Sequence, residues 1–306
     1  MGAMTAALDR RLTAEQLAQF DRDGFLVLRQ WVGPEVVDRL REACEEWVEL
    51  GGRVQRGEVD RADAVDWKYT ERDSGPLMFR VDYLHSKGHP ASLELLGSPE
   101  ILSLAESLCG TDFVPTYESL VFKAENEGAA VPWHQDAVHR RTHRIANIDV
   151  YLDESTAGNG ALRVVPGSQR EKADVCRLRD EHGWSPADVV VVELEPGDVL
   201  IHDVMVVHGS PPTSGGALRR TLYLEFRAAE QILDQGPWDE QWVDSRLRLV
   251  PLAQRAYAES HPGSEPFPWR IDETLRPVPA GDADAELRVA HLVHTPGTYC
   301  SAGDSW

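Results

Sequence analysis

Positive charge, cysteine and long apolar runs are all scarce in this chain of 306 residues. Lys and Arg number 31 against 51 Asp and Glu, a net charge of −20, and so acidic a surface repels nucleic-acid phosphates and anionic membrane headgroups. Neither is expected as a partner. The four cysteines, Cys44, Cys109, Cys176 and Cys300, are widely scattered. They lack the paired spacing of zinc or redox motifs, so reduced thiols are expected rather than a disulfide framework. No stretch nears the roughly eighteen apolar residues of a membrane span, and the N-terminus has no apolar core of signal-peptide length. A soluble, cytoplasmic protein follows as the expectation. A phosphate-binding glycine loop is also missing.

What is present is 42% hydrophobic residues, ample for a buried core. Thr13 with Gln16 forms a capping-box pattern, Leu17 and Phe20 follow at helical spacing, and Gly24 stands where the helix should stop before a strand over Phe25-Leu26-Val27-Leu28. Gly33-Pro34 opens a second helix with Val36, Val37, Leu40, Cys44 and Trp47 on one stripe, ended by Gly51-Gly52. Residues 53–75 are polar and weakly periodic and read as a long loop. Ser98-Pro99 begins a further helix that Gly110 closes.

The pattern then turns to strands, at 114–123, 131–136, 145–152, 161–165, 188–194, 198–201, 204–208 and 219–227. Short strands after a helical start predict a mainly β protein with flanking helices, a sandwich of the jelly-roll type. On the last strand Arg219, Thr221 and Tyr223 share the face that would look into the barrel. With no repeats, one domain over 5–306 is expected: a helical N-terminal part (13–110), a β core (114–227) and a C-terminal extension (228–306) with an amphipathic patch near Trp242 to Tyr257.

Any one of eleven histidines is more often a core or surface residue than a ligand. Conjunction raises the odds. His134-Gln135-Asp136 on a strand projects His134 and Asp136 together and turns Gln135 away. A third ligand must come from another strand, and His202 and His208 are both available. Two imidazoles and a carboxylate on one face of an octahedral metal leave three positions open, an arrangement suited to Fe(II) and dioxygen. Arg219 would clamp an acidic cosubstrate, because a guanidinium meets a carboxylate through two parallel hydrogen bonds.

The pattern resembles the phytanoyl-CoA dioxygenase family of iron- and 2-oxoglutarate-dependent oxygenases. The likeness runs from about residue 13 to about residue 230. It includes the Leu-x-x-Phe-x-x-x-Gly-Phe-x-Val form at Leu17 to Val27, Asn159-Gly160-Ala161-Leu162, Val165-Pro166-Gly167-Ser168 and His208-Gly209-Ser210. The resemblance implies a double-stranded β-helix, cupin-like. It implies that His134, Asp136 and His208, rather than His202, bind Fe(II), and that Arg219 pairs with the distal carboxylate of 2-oxoglutarate. By the same likeness Ser210, Gln135, Ser119 and Arg80 fall where members contact the cosubstrate; Thr221, on the Arg219 face, adds a hydroxyl.

Two departures stand out. Asp149 occupies a position where the family often has an aromatic residue, and with Asn147 and Tyr151 it shares a face that would make the substrate pocket polar. Gln169 replaces the usual His of the Pro-Gly-Ser-His turn. A basic run, His139 to Arg144, could take an anionic substrate group, with His139 the candidate, or pair with surface carboxylates. The expectation is a dioxygenase using Fe(II), 2-oxoglutarate and dioxygen on a small-molecule substrate. It would hydroxylate a C–H bond of a small polar metabolite, for example a natural-product intermediate. Desaturation, epimerisation, cyclisation or alcohol oxidation are alternative outcomes. A non-redox cupin-like metalloenzyme or a binding protein is the rival class. Nothing here indicates the oligomeric state.

Overall fold

The computed structural model describes residues 10–73, 75–123, 130–138, 140–212, 218–279, 281–289 and 297–299. The first helix, α1 (Ala14–Asp23), starts as the sequence predicts: Thr13 Oγ1 accepts from the Gln16 amide at 3.2 Å, and Gln16 Oε1 accepts from the Thr13 amide at 2.9 Å. Gly24, at φ 80°, ends it and turns the chain into β1 (Phe25–Leu28). Helix α2 (Pro34–Gln55) buries the expected Val37, Leu40, Cys44 and Trp47. It runs past Gly51-Gly52, the expected end. A Cβ on Gly51 would stand 2.2 Å from Trp67 Cδ1, so this glycine admits a tryptophan rather than stopping a helix.

Trp67 belongs to β2 (Trp67–Thr70), which pairs with β3 (Leu77–Asp82) inside and beyond the segment expected to be loop. The remaining elements are α3 (Ala91–Leu96), α4 (Pro99–Cys109), β4 (Phe113–Lys123), β5 (Val131–Gln135), β6 (Ile145–Tyr151), β7 (Leu162–Val165), α5 (Val175–His182), β8 (Val190–Val192), β9 (Val199–Asp203), β10 (Val207–Ser210), β11 (Arg219–Ala228), α6 (Ala229–Gln235), α7 (Glu240–Leu247), α8 (Leu249–Ser260), α9 (Ala283–Glu286) and β12 (Thr298–Tyr299). Two antiparallel sheets result, in the orders β1-β9-β6-β11-β4-β3-β2 and β12-β5-β10-β7-β8. This is the jelly-roll sandwich expected of a double-stranded β-helix. Within the stretch 13–110 the expected strand β1 joins one edge of the larger sheet, and β3 and β2, which were not expected, extend the other.

Alternation along the strands separates a greasy face from a polar one. Leu120, Ile148, Val150, Leu222, Leu224 and Phe226 pack with Leu40, Trp47, Ile101 and Leu108 of the helices in one apolar cluster. The opposite face looks at the smaller sheet. There a second cluster includes Leu162, Val164, Leu200 and Val206, and a smaller one joins Ala137, Ile145, Val204 and Met205. The C-terminal extension is anchored by Trp238, Trp242, Val243 and Leu247 around Val114. Arg246 also donates to Glu118 Oε2 and to the Pro115 carbonyl, both at 2.6 Å.

Cys176 is disulfide-bonded, which corrects the expectation of four reduced thiols; Cys44 and Cys109 are free and buried, and Cys300 lies outside the described residues. Spacing along the chain cannot reveal a pairing made only when distant segments meet. Among the described residues no helix is long and apolar enough to cross a membrane.

Candidate active site

β5 and β10 pair antiparallel with His134 directly opposite His208. The two imidazoles therefore meet, with ring centroids 4.0 Å apart. Asp136 follows the end of β5, and its Oδ1 lies 3.3 Å from His134 Nε2 and 3.7 Å from His208 Nε2. Ligand-capable atoms of all three residues lie within 4.8 Å of one another. Each imidazole is oriented by its far nitrogen: His134 Nδ1 is 2.8 Å from the Pro132 carbonyl, and His208 Nδ1 is 2.9 Å from the Val206 carbonyl. A carbonyl only accepts, so each Nδ1 carries the proton and each Nε2 presents a lone pair to the common centre. Burial, reinforced by the neighbouring His134, pushes the His208 pKa down to about 3, which keeps that lone pair free. Two nitrogens and one carboxylate oxygen are a donor set that suits Fe(II). The residues fit the metal.

His202, the rival ligand, has another position. The turn at Val204–Val206 separates β9 from β10, so His202 ends one strand and His208 belongs to the next. His202 Nε2 lies 3.1 Å from Asp136 Oδ2, and its Nδ1 lies 2.8 Å from Asp149 Oδ2. Asn147 Nδ2 donates to the same Asp136 Oδ2 at 3.0 Å. One oxygen of Asp136 is thus held from behind while the other faces the imidazoles. Burial alone would lower the His202 pKa, but Asp149 and Asp136 outweigh it and push it up to about 10, so this imidazole is a cation. Burial pushes Asp149 up to about 6 against the pull of His202, leaving it ionised at neutral pH. Asn147 and Asp149 were expected to face the substrate. They face Asp136 and His202 instead, because β6 lies next to β9 in the sheet, with Asn147 opposite His202.

A second group of polar residues gathers at the far end of β10. Arg219 donates from Nη1 to the Gly160 carbonyl, and Ser210 Oγ donates to the same carbonyl at 2.5 Å. Ser210 is two strand residues, about 6.6 Å, from His208. Thr221 follows Arg219 on the inner face and is buried. Directly opposite Arg219 on β4 is Lys123, also buried, donating to the Pro211 carbonyl at 2.7 Å. Burial, then the neighbouring Arg219, depresses the Lys123 pKa to about 7. Among the described residues, no carboxylate pairs with either cation. A buried guanidinium beside a buried amine, with no carboxylate partner among the described residues, can receive an anion. Sequence reasoning missed Lys123, since only strand register puts it beside Arg219.

Other expected site residues are dispersed. Gln135 does not join the site: it donates to the Glu171 and Met205 carbonyls at 2.9 and 2.6 Å and accepts from the Ala173 amide at 3.0 Å, on the outer face of β5. Arg80 is two strands from β11, in the row Arg80–Val121–Thr221, and its guanidinium is engaged by Asp82 and the Tyr117 hydroxyl. Ser119 is on the inner face between Asp82 and Tyr223, nearer the sheet centre than the Arg219 end. Tyr151 is buried opposite Thr221 in the apolar cluster, at the cation end rather than at an opening. His139 lies outside the described residues. Its basic neighbours pair with carboxylates: Arg141 with Asp203, His143 with Glu230 and Arg144 with Asp21. Gln169, the other departure, donates to the Asp21 carbonyl at 3.1 Å and has no part in the centre.

The family model described as phytanoyl-CoA dioxygenase matches residues 20–221. Among curated relatives, a phytanoyl-CoA dioxygenase domain-containing protein 1 homolog of Dictyostelium discoideum is 25% identical over 256 residues, covering 71% of this chain and 91% of that protein. An ectoine dioxygenase of Nocardia farcinica is 25% identical over 247 residues, covering 72% of this chain and 79% of the relative. Among solved structures, AviO1 from Streptomyces viridochromogenes superimposes with a TM-score of 0.59 at 32% identity, over 71% of this chain and 96% of that one.

Proposed function

Because this chain belongs to the phytanoyl-CoA dioxygenase family and is a 2-oxoglutarate-dependent non-haem iron dioxygenase, we propose that it hydroxylates a C–H bond of a small polar metabolite, such as an intermediate of natural-product biosynthesis. In this reading His134, Asp136 and His208 hold the iron. Arg219 and Lys123 receive the far carboxylate of 2-oxoglutarate, flanked by the Ser210 and Thr221 hydroxyls. The observation that carries it is that the three donor atoms converge while Ser210, two residues along β10 from His208, shares the Gly160 carbonyl with Arg219, which like its neighbour Lys123 pairs with no carboxylate among the described residues.

Iron bound there supplies oxidation by dioxygen coupled to decarboxylation of 2-oxoglutarate to succinate. The protein's own part is positional. His202 and Asn147 hold Asp136 Oδ2, which leaves Oδ1 for the metal and keeps the carboxylate from turning. Asp149 neutralises His202 and fixes its ring. The sandwich interior around these groups excludes water, which strengthens each charge-assisted contact. The half-buried Tyr223 and Tyr117, with Ser119, give the inner face hydroxyls and rings for a polar substrate to lie against, and Asp82, Arg80 and Lys68 continue it as a charged rim. This lining favours a polar molecule over a lipid.

The test is anaerobic titration of the Fe(II) protein with 2-oxoglutarate, following the visible charge-transfer band, in wild type and Arg219→Ala. Losing the charge-assisted bonds of a buried guanidinium costs about 3 kcal/mol, so the variant should need roughly 100-fold more cosubstrate. Equal titration curves would refute the role given to Arg219. No band in the iron-loaded wild type would refute the cosubstrate site itself.

A further inference from the structure

β12 runs antiparallel to β5 at the edge of the smaller sheet, with Tyr299 opposite His134 and Thr298 opposite Gln135. The Tyr299 ring stacks on the His134 imidazole, with centroids 5.0 Å apart and planes inclined by 15°. Gly297 permits this approach: a Cβ there would lie 2.5 Å from the Gln135 carbonyl oxygen and 2.7 Å from that of Asp136. These residues are far beyond residue 221, where the family match ends. The C-terminal segment therefore lies against the backbone of the His-x-Asp motif itself and covers one ring face of His134.

We propose that Tyr299 is a positioning residue of the metal centre, holding the plane of the His134 imidazole and shielding it from water. Among the described residues the Pro132 carbonyl holds His134 Nδ1 and Asp136 Oδ1 lies 3.3 Å from its Nε2, but both contacts are at the ring edge and do not by themselves fix the tilt of the imidazole plane. On one side the tilt is limited by His208, whose ring is inclined by 50°. On the other it is limited by the near-parallel Tyr299 ring. An offset aromatic stack supplies restraint through its face, not its hydroxyl, so phenylalanine should serve as well as tyrosine.

This inference rests on His134 being an iron ligand, so its test reads metal binding directly. Full-length wild type, Tyr299→Phe and Tyr299→Leu are titrated with Co(II) without cosubstrate or substrate, recording affinity against a competing chelator and the visible Co(II) spectrum. Thermal unfolding of the metal-free proteins is recorded alongside. The expected result is a roughly 3- to 10-fold loss of Co(II) affinity with an altered spectrum in Tyr299→Leu, wild-type behaviour in Tyr299→Phe, and similar metal-free unfolding in all three. Wild-type affinity and spectrum in Tyr299→Leu would overturn the proposal, as would a Phe variant as weak as the Leu variant. Gly297→Val provides an independent route, because its side chain pushes the segment off the Gln135 carbonyl; it must show the same loss, and unchanged Co(II) binding in it overturns the proposal too. A wild type that binds no Co(II) would instead defeat the iron-site reading, a result distinct from any of these.

Discussion

His202 is a buried imidazole clasped between Asp149 and Asp136, and its value to the centre lies in what it holds rather than in what it binds. Replacing it by Phe keeps the volume but removes the hold on Asp136 Oδ2. Iron affinity should fall about 10- to 100-fold, the usual effect of losing a group that orients a metal ligand. The same change removes the cation that holds the Asp149 pKa down, so burial pushes that carboxyl further up and leaves it in the interior without its partner, costing about 1–3 kcal/mol of stability. Adding Asp149→Asn should recover most of that stability without recovering metal affinity. If both recover together, His202 acts only through the fold. Lys123 carries a pH signature. Its pKa of about 7, set by burial and by Arg219, makes it a cation below neutrality and neutral above. The anion receptor therefore gains a charge as pH falls, so 2-oxoglutarate should bind more tightly at pH 6 than at pH 8. Lys123→Met should flatten that dependence, and charge-transfer titrations at the two pH values check it; a wild-type profile in the variant removes Lys123 from the cosubstrate site. The spacing His-x-Asp was legible in sequence, as was Arg219. Lys123, Asn147 and His202 were not legible in these roles, since each acts through a neighbouring strand whose register no single segment encodes.

At the scale of elements, caps and stripes were readable because they are local. Thr13, Gly24, Pro34 and Ser98 sit at the boundaries predicted for them. Helix α2 overran its predicted end because Gly51 answers to a tertiary contact instead. Helix propensity alone would make Gly51→Ala stabilising by about 1 kcal/mol. The new methyl would collide with Trp67 at 2.2 Å, and overpacking of this kind costs about 1–3 kcal/mol. The collision should win, because the indole is buried and its Nε1 donates to the Trp47 carbonyl at 3.0 Å, so it cannot readily move aside. A lower melting temperature in Gly51→Ala is expected from thermal unfolding; a higher one would show that β2 yields easily. β2 itself went unseen because, after the buried Trp67, its residues 68–70 are all half-buried at the sheet edge and carry little alternation.

Across the whole molecule, the architecture divides labour between two faces of one large sheet. Helices cover the apolar face, and the polar face meets the smaller sheet, where smaller apolar clusters around Leu200 and around Ile145 flank the charged groups. Charged side chains can persist there because they hold one another: Asp149 with His202, His202 with Asp136, and Glu225 with Arg227 at 2.8 Å. Arg219 and Lys123 pair with carbonyls rather than with a carboxylate among the described residues, and theirs is the end proposed here to receive the cosubstrate. The sequence by itself determined the strand-rich class, the helix caps, the inward face of β11 and the ligand motif, because each depends on residue identity and on periodicity along one segment. His208 over His202 was already expected from the resemblance, but tertiary structure alone decided that His202 lies behind Asp136, between it and Asp149. It also placed a lysine beside Arg219, laid a tyrosine from the C-terminus on His134, and put Cys176 in a disulfide. Those are facts of register and of contact between distant segments, and they exist only once the sheets have formed.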